Sequence, residues 1–420
     1  MNDTQEPRSI FYLTQYFPPE TGAAATRVQE LTERWGDAGH DVTVVTSAPD
    51  YPEGELFDGY NNDWLAVEQR NGVRVVMTKT LPTSNTRTVR RMLKFVWFMF
   101  AATAACLWLD EDPDMVIATS PQPLLGVSAI ITGWLRSSST VFEIRDLWPE
   151  SIEEVGDFDN RLAVWLLDRL VSWIYAHVDR IVIVSQAFER PLLNAGVGRE
   201  DLWYHPNGVD LEFFDDHGDG SEIDETVQAV FDDRFVVSYV GTVGRSHGLE
   251  VVLDAADRLR DLPIDFVVVG YGSELERLEQ AAASRGLDSV TFVGRRPKHE
   301  VPTLLHLSDV SLVHLRDEEL FRTVIPSKMF ESMAARLPIV LGVEGEAARI
   351  LDQANAGVQV KPENPVALAD AVRQLYEQAD LRERFGSNGR QFVGREFAWD
   401  TIAADYLTNI ETITSDNGQS

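Results

Sequence analysis

The chain has 420 residues, with 37 Lys or Arg against 67 Asp or Glu, a net charge of −30. That balance excludes a broad nucleic-acid surface, which needs a basic footprint, and the lone Cys106 excludes an intramolecular disulfide and a cysteine-based zinc site. At 44% apolar and 25% charged residues the length fits two or three folded domains. The only lysines are Lys79, Lys94, Lys298, Lys328 and Lys361. An acid-rich, lysine-poor surface suits a salt-rich cytoplasm, where screening weakens self-repulsion. Met1–Ser9 is polar and lacks the apolar core of a signal peptide.

Ile10–Thr14 reads as a first strand, and Gly22–Ala38 as a helix with Val28, Leu31 and Trp35 at helical spacing, closed by Gly39. Further strands are predicted at Asp41–Thr46, Val73–Thr78, Met115–Ala118, Thr140–Ile144 and Arg180–Val184, with helices between them. Such alternation predicts βαβ units and a parallel sheet. From Asp215 to Asp233 there are eight acidic residues and no Lys or Arg, which predicts a solvated insertion or linker near a domain boundary. A second series follows at Phe235–Val240, Asp265–Val269, Ser289–Val293, Val310–Val313, Pro338–Leu341 and Gly357–Val360. The predicted class is α/β: two doubly wound domains, 1–205 and 206–395, facing each other across a cleft. A helix near Asp400–Ile413, within 396–420, could pack on either domain. Ligands in such sheets bind beyond the carboxyl ends of the strands.

Phe95–Leu109 is uncharged for fifteen residues, short of the roughly 20 a membrane span needs. Arg87, Arg90, Arg91 and Lys94 precede it. Two readings stand side by side: a buried core helix with a solvated basic start, and a helix in 87–109 that docks on an anionic membrane face.

The turn after the first strand lacks G-x-G-x-x-G, and no acidic residue ends the second strand, which disfavours a nicotinamide cofactor. Gly22, Ala23 and Ala24 fit either tight helix–strand packing or close backbone approach to a phosphate or sugar. A second loop, Gly241-Thr242-Val243-Gly244-Arg245-Ser246-His247-Gly248, places backbone N–H groups where a diphosphate could sit. Pro326 suits a first helical turn, leaving the N–H groups of Ser327, Lys328 and Met329 as donors for an anion. Lys328 and Arg322 add charge there, and Glu331, three residues beyond Lys328, could bond a ribose diol. Arg145, Asp146 and Glu150 follow a strand end and mark the mouth of the expected cleft. The histidines other than His247 show no metal-ligand spacing and are assigned to surface or packing roles.

In order, QYFPPE-x-G-A, EIRDLWPES, HPNGVDLEFF, the glycine loop, VVVGYGSE, LFRTVIPSKMFESMAA and GVEGEAA resemble the family-4 glycosyltransferases of the GT-B fold over nearly the whole chain. The chain looks most like their fucosaminyl-transferase-like branch, which builds O-antigen and capsule. The resemblance implies two Rossmann-like domains and a retaining, metal-independent transferase. It would move a sugar from a nucleotide diphosphate sugar to a saccharide acceptor, lipid-linked by the branch and the basic-apolar segment. No cofactor and no nucleic acid are implied, and the place is the cytoplasm, peripheral on the inner membrane face. By motif matching Glu331 binds ribose, Pro326–Met329 with Lys328 hold the diphosphate, the Gly241–Gly248 loop covers it, Gly294 and Arg295 border the base, and Asp146 faces the reacting sugar.

The sequence departs from the family where the first Glu of E-x7-E is Thr323 and where the glycine loop's usual Arg and Lys are Thr242 and His247. The leaving diphosphate must then draw its charge from Arg322, Lys328, Arg245 and helix dipoles. Two rivals are a non-catalytic nucleotide-sugar scaffold and a sugar-nucleotide epimerase. The second needs an acid/base set that His247 and Asp146 alone do not supply.

Overall fold

The structure is a computed structural model. It describes residues 6–51, 53–83, 88–148, 161–215, 223–231 and 234–417. Arg87 and Glu150 lie outside these, as do Asp216, Asp219, Glu222, Asp232 and Asp233 of the acidic stretch. The chain divides into two compact units, Met1–Asn207 with Trp399–Ser420, and Gly208–Ala398.

The first unit holds β1 (Ser9–Leu13), β2 (Asp41–Ser47), β3 (Leu65–Arg70), β4 (Val73–Thr78), β5 (Met115–Thr119), β6 (Ser139–Ile144), β7 (Arg180–Ile183) and β8 (Leu202–Tyr204). Their order is β3-β4-β2-β1-β5-β6-β7-β8. All neighbours pair in parallel except the β3–β4 hairpin. That hairpin turns at Asn71 and Gly72, both at positive φ (46° and 80°), the dipeptide a tight two-residue turn requires.

Side chains alternate across the sheet. Ile10, Tyr12, Val42 and Val44 face helices Ala23–Asp37 and Trp399–Asn417; Phe11, Leu13, Val45 and Val116 face Phe98, Ala102 and Cys106 of helix Thr88–Trp108. The last helix therefore belongs to the first unit. Its Trp399, Ile402, Tyr406 and Ile410 pack with Trp35, whose Nε1–H donates to the Ala403 carbonyl at 3.1 Å.

Helix Thr88–Trp108 is longer than the uncharged run within it, and its Arg90–Trp108 stretch is long and apolar enough to cross a membrane by length and composition. Its inner face nonetheless lies in the core. The basic start of the helix is divided: Arg90 is exposed, whereas Lys94 is buried in an ion pair with Asp50. Glu20 braces the same place, accepting from the N–H groups of Asp50 (3.0 Å) and Tyr51 (2.9 Å). Burial pushes its carboxyl up to about 7. The outer face of the helix is apolar and exposed, with Phe100 at 65% and Trp108 at 62%.

The second unit holds β9 (Phe235–Val240), β10 (Ile264–Val269), β11 (Val290–Gly294), β12 (Val310–His314), β13 (Ile339–Gly342) and β14 (Gly357–Gln359), in the order β11-β10-β9-β12-β13-β14 and wholly parallel. Connections run outward from β9 on one side and from β12 on the other. The topological switch, where ligands bind in such sheets, lies between these two strands. Two Rossmann-like units with parallel sheets are thus observed.

The acidic segment is no solvated linker in its described part. Ile223, Val227 and Phe231 are buried against Val236, Val267 and Leu304 of the second unit. Its acids misled because they sit between apolar residues at helical spacing (223, 227, 231), which decide the packing.

Candidate functional site

At the β9–β12 switch the sheet meets helix Ser327–Ala334, which begins directly after Pro326. Met329 N–H donates to the Pro326 carbonyl at 3.0 Å, so it is not the free donor that the sequence implies. The N–H groups of Ser327 and Lys328 have no hydrogen-bond partner among the described residues. They make this helix start receptive to an anion.

Lys328 reaches back across the sheet edge. Its Nζ donates to Tyr239 Oη at 2.6 Å, and Tyr239 Oη donates onward to the Thr242 carbonyl at 2.6 Å. Burial lowers the Lys328 ammonium to about 7, against a small opposing pull from Glu331. No carboxylate pairs with it among the described residues. A half-desolvated cation without a counter-ion is costly to hold, and an anionic ligand removes that cost. Gly241 leaves the room: at φ +144°, a Cβ there would stand 2.8 Å from Lys328 Nζ.

Glu331 is one helical step further. Burial raises its carboxyl, and Lys328 and then Lys298 pull it down. It makes no hydrogen bond among the described residues, so its oxygens are open to a diol.

The glycine loop is half consumed by the fold. Gly241 N–H donates to the Val269 carbonyl (2.9 Å) and Val243 N–H to the Tyr271 carbonyl (3.0 Å). Thr242 and Gly244 N–H groups have no partner among the described residues. Gly270 and Gly272 permit this union, since a Cβ at either would meet the loop backbone at 1.8 and 2.2 Å. From behind, His314 clamps the loop. Its Nδ1–H donates to the His247 carbonyl (2.6 Å) while its Nε2 accepts from Glu363 N–H (2.9 Å), a pairing that requires the neutral ring. Burial lowers His314, and lowers His247 to about 4 with Lys328 adding to the effect, so neither imidazole carries charge near neutrality.

Two expected cations are paired with carboxylates. Arg322 is held by Glu319 (2.8 Å), Glu344 (3.2 Å) and Asp317 (3.6 Å), and Arg245 points outward to Glu274 at 3.4 Å. Both are already balanced by carboxylates, which sequence adjacency could not reveal. Thr323 turns inward on its own turn, Oγ1–H to the Leu320 carbonyl at 2.9 Å. Gly294 ends β11 at φ +80°, and Arg295 beside it is exposed and unpaired among the described residues. Tyr239 and Tyr271 were not singled out from the sequence. Tyr239 could have been found as the inward residue just before a glycine loop. Tyr271, 68% exposed, lies two residues beyond β10, and Arg295 follows the end of the adjacent β11.

In the first unit Gly22 caps helix Ala23–Asp37 at φ +127°, with nothing within 4 Å of where a Cβ would stand. That positive φ is a backbone conformation that favours glycine. Asp146 stands exposed beyond β6. Its neighbour Arg145 buries Nε and Nη1 without a partner among the described residues. Glu143, by contrast, is fully engaged, accepting from Arg27 (2.8 Å), Thr119 (2.8 Å) and Tyr12 (3.1 Å).

Residues 22–208 match the glycosyl transferase 4-like domain, and residues 221–392 match glycosyl transferases group 1. The chain is a group 1 glycosyltransferase. This glycosyltransferase is 25% identical over 414 residues to the putative colanic acid biosynthesis glycosyl transferase WcaI of Escherichia coli, covering 96% of this chain and 99% of that one. Its fold is similar to sucrose-phosphate synthase from Thermosynechococcus elongatus (TM-score 0.74, 18% identity, 97% and 100% of the two chains). It is also similar to Anabaena HepE in complex with UDP (TM-score 0.68, 16% identity, 96% and 100%).

Proposed function

We propose that this glycosyltransferase moves a sugar from a nucleotide diphosphate sugar to a lipid-linked saccharide in surface-glycan assembly, with retention of anomeric configuration and without a metal ion. The observation that carries the reading is Lys328: an ammonium without a carboxylate partner, at a helix start with free N–H groups, at the β9–β12 switch. Those groups take the diphosphate, Glu331 the ribose diol, and Tyr271 with Arg295 the base. HepE, a structural neighbour, binds UDP, which supports a donor of this class.

The difficult step is departure of the nucleoside diphosphate from the anomeric carbon. Lys328 and the Ser327, Lys328, Thr242 and Gly244 N–H groups stabilise the charge that develops on the leaving oxygens, the term that lowers such barriers most. The cationic charge comes from the protein itself. We assign retention to front-side attack. The acceptor hydroxyl adds to the anomeric carbon on the face the diphosphate leaves, and its proton passes to the departing phosphate oxygen. We assign the acceptor to the first unit, with Asp146 orienting its hydroxyl. The transferred sugar is a hexose or acetamido sugar, in keeping with the fucosaminyl-like branch, and the work is done at the cytoplasmic face of the membrane in a salt-adapted cell.

A panel of nucleotide sugars, offered in high salt with and without a polyprenyl-linked saccharide and read by mass spectrometry, tests this. Nucleoside diphosphate release with a matching gain on the acceptor is expected. Donor binding without release under every acceptor would instead make the chain a scaffold.

A further inference from the structure

One binding surface is left unused by that reading. Between the β3–β4 hairpin and helix Thr88–Trp108 runs a groove of about 590 Å³, within the range of small-molecule sites. Its walls are Trp64 on the hairpin and Trp97, Phe100, Ala104 and Trp108 on the helix. The walls are pinned together at one end, where Trp97 Nε1–H donates to the Lys79 carbonyl at 2.6 Å and the Trp64 and Trp97 rings lie 5.8 Å apart. Trp64 is 71% exposed, and Phe100 and Trp108 are nearly as open, so the groove opens onto an apolar face of a strongly acidic chain.

Its charge is as telling as its shape. The only charged residue of the lining is Lys79, one of five lysines in the chain. The Lys79 ammonium lies 4.7 Å from the Trp64 ring centroid and has no carboxylate partner among the described residues. Lys79 directly follows β4, at the carboxyl edge of the sheet, and Trp108 ends the helix at the opposite edge. From Trp97 to Trp108 the groove floor runs for about 16 Å at 1.5 Å per helical residue. The site thus has a cation at one end and hydrocarbon-lined walls along its length.

We propose that this groove holds an isoprenyl phosphate, its phosphate on Lys79 and its chain running toward Trp108. One ammonium and one channel match one phosphate and one chain, whereas a bilayer phospholipid carries two chains. This rests on the reading of a lipid-linked acceptor and says where the lipid lies. The strand order puts Lys79 four strands from β6, which carries Asp146 at its end. That is about 19 Å at roughly 4.8 Å per strand, room for a short saccharide along the same sheet edge.

The test uses the full chain in detergent, with geranylgeranyl phosphate and geranylgeraniol as probes and tryptophan fluorescence as the readout. The phosphate binds about tenfold more tightly than the alcohol, the scale of one charge-assisted contact. Lys79→Ala abolishes that preference. Ala104→Trp, which adds bulk from an exposed helix position, weakens both probes about tenfold or more while UDP affinity is unchanged. Undiminished binding by Ala104→Trp overturns the proposal. So does a phosphate preference that survives Lys79→Ala, or binding to phosphatidylglycerol vesicles that geranylgeranyl phosphate does not compete away. Transfer assays separate this from the acceptor reading. Transfer to a lipid-linked saccharide that both variants leave untouched removes the groove and keeps the lipid-linked acceptor. Groove binding as described, with transfer only to lipid-free saccharide, keeps the groove and removes that acceptor.

Discussion

Each unit holds a basic and an acidic side chain where a helix meets the sheet, and the two pairs differ in what completes them. In the first unit Arg27 and Glu143 are fully buried, 2.8 Å apart. Arg27 also donates to the carbonyls of Pro206 (2.6 Å) and His205 (2.9 Å), and Glu143 accepts from Thr119 and Tyr12. Arg27 holds Glu143 below the usual carboxylate range despite burial. In the second unit Lys328 has a tyrosine hydroxyl for company and Glu331 has no partner among the described residues. The first pair is spent on the fold; the second, with its charge unmatched at a sheet switch, is the one we propose for a ligand.

The comparison breaks most sharply by mutation. Arg27→Ala strands Glu143 in the core, so thermal or urea unfolding should show a loss of about 3–5 kcal/mol. Lys328→Ala should leave the melting temperature unchanged or raised and cost transfer about 100-fold or more, the scale of losing one donor aimed at developing charge. A melting temperature that drops as far for Lys328→Ala as for Arg27→Ala would erase the distinction.

Glu331→Gln keeps shape but not charge, and UDP affinity by calorimetry should fall about tenfold, the upper range of one charged hydrogen bond. A 2′,3′-dideoxy analogue should bind wild type and variant alike.

The pH dependence sharpens the picture further. Free Lys328 loses its proton near pH 7, and only the charged form pairs with a diphosphate. UDP affinity should therefore decline from pH 7 to pH 9, by up to about tenfold per unit, until the raised pKa of the complex is passed. Stability of the ligand-free protein runs the opposite way. The unfolded lysine keeps its proton up to 10.5 and the folded one only to about 7, so this group makes stability rise with pH between those values. Lys328→Met should abolish both slopes.

The smallest effect expected is that of Tyr239→Phe, which removes the hydroxyl holding Lys328 in place. Donor affinity should change a few-fold, about 1 kcal/mol for one hydrogen bond, with the melting temperature nearly constant.

Much of this architecture was legible in the amino-acid order. Each predicted strand is found within a residue or two, because runs such as Phe235–Val240 are apolar on both faces, as buried parallel strands must be. The two edge strands of the first unit were missed. β3 carries only partly buried or exposed residues and β8 has three residues, so neither leaves a buried apolar run, although Asn71-Gly72 announced the hairpin. At the proposed site, the helix start at Pro326 and the tight turn of the glycine loop were legible because they are local, written in neighbouring residues.

Availability of charge was not legible. Lys94, Arg322 and Arg245 look equal to Lys328 in the sequence, yet each meets a carboxylate, and those of Lys94 and Arg245 lie 44 and 29 residues away. The acidic segment was misread as a solvated linker, and the side taken by the final helix was left open, for the same reason. An amphipathic stripe states that it must be buried and does not name its partner. Sequence alone determined the elements, the turns and the residue types at the sheet ends, all set by interactions within a few residues. Only the tertiary structure decided which charges are spent on the fold and which stay unpaired among the described residues, since that depends on contacts between residues far apart in the chain.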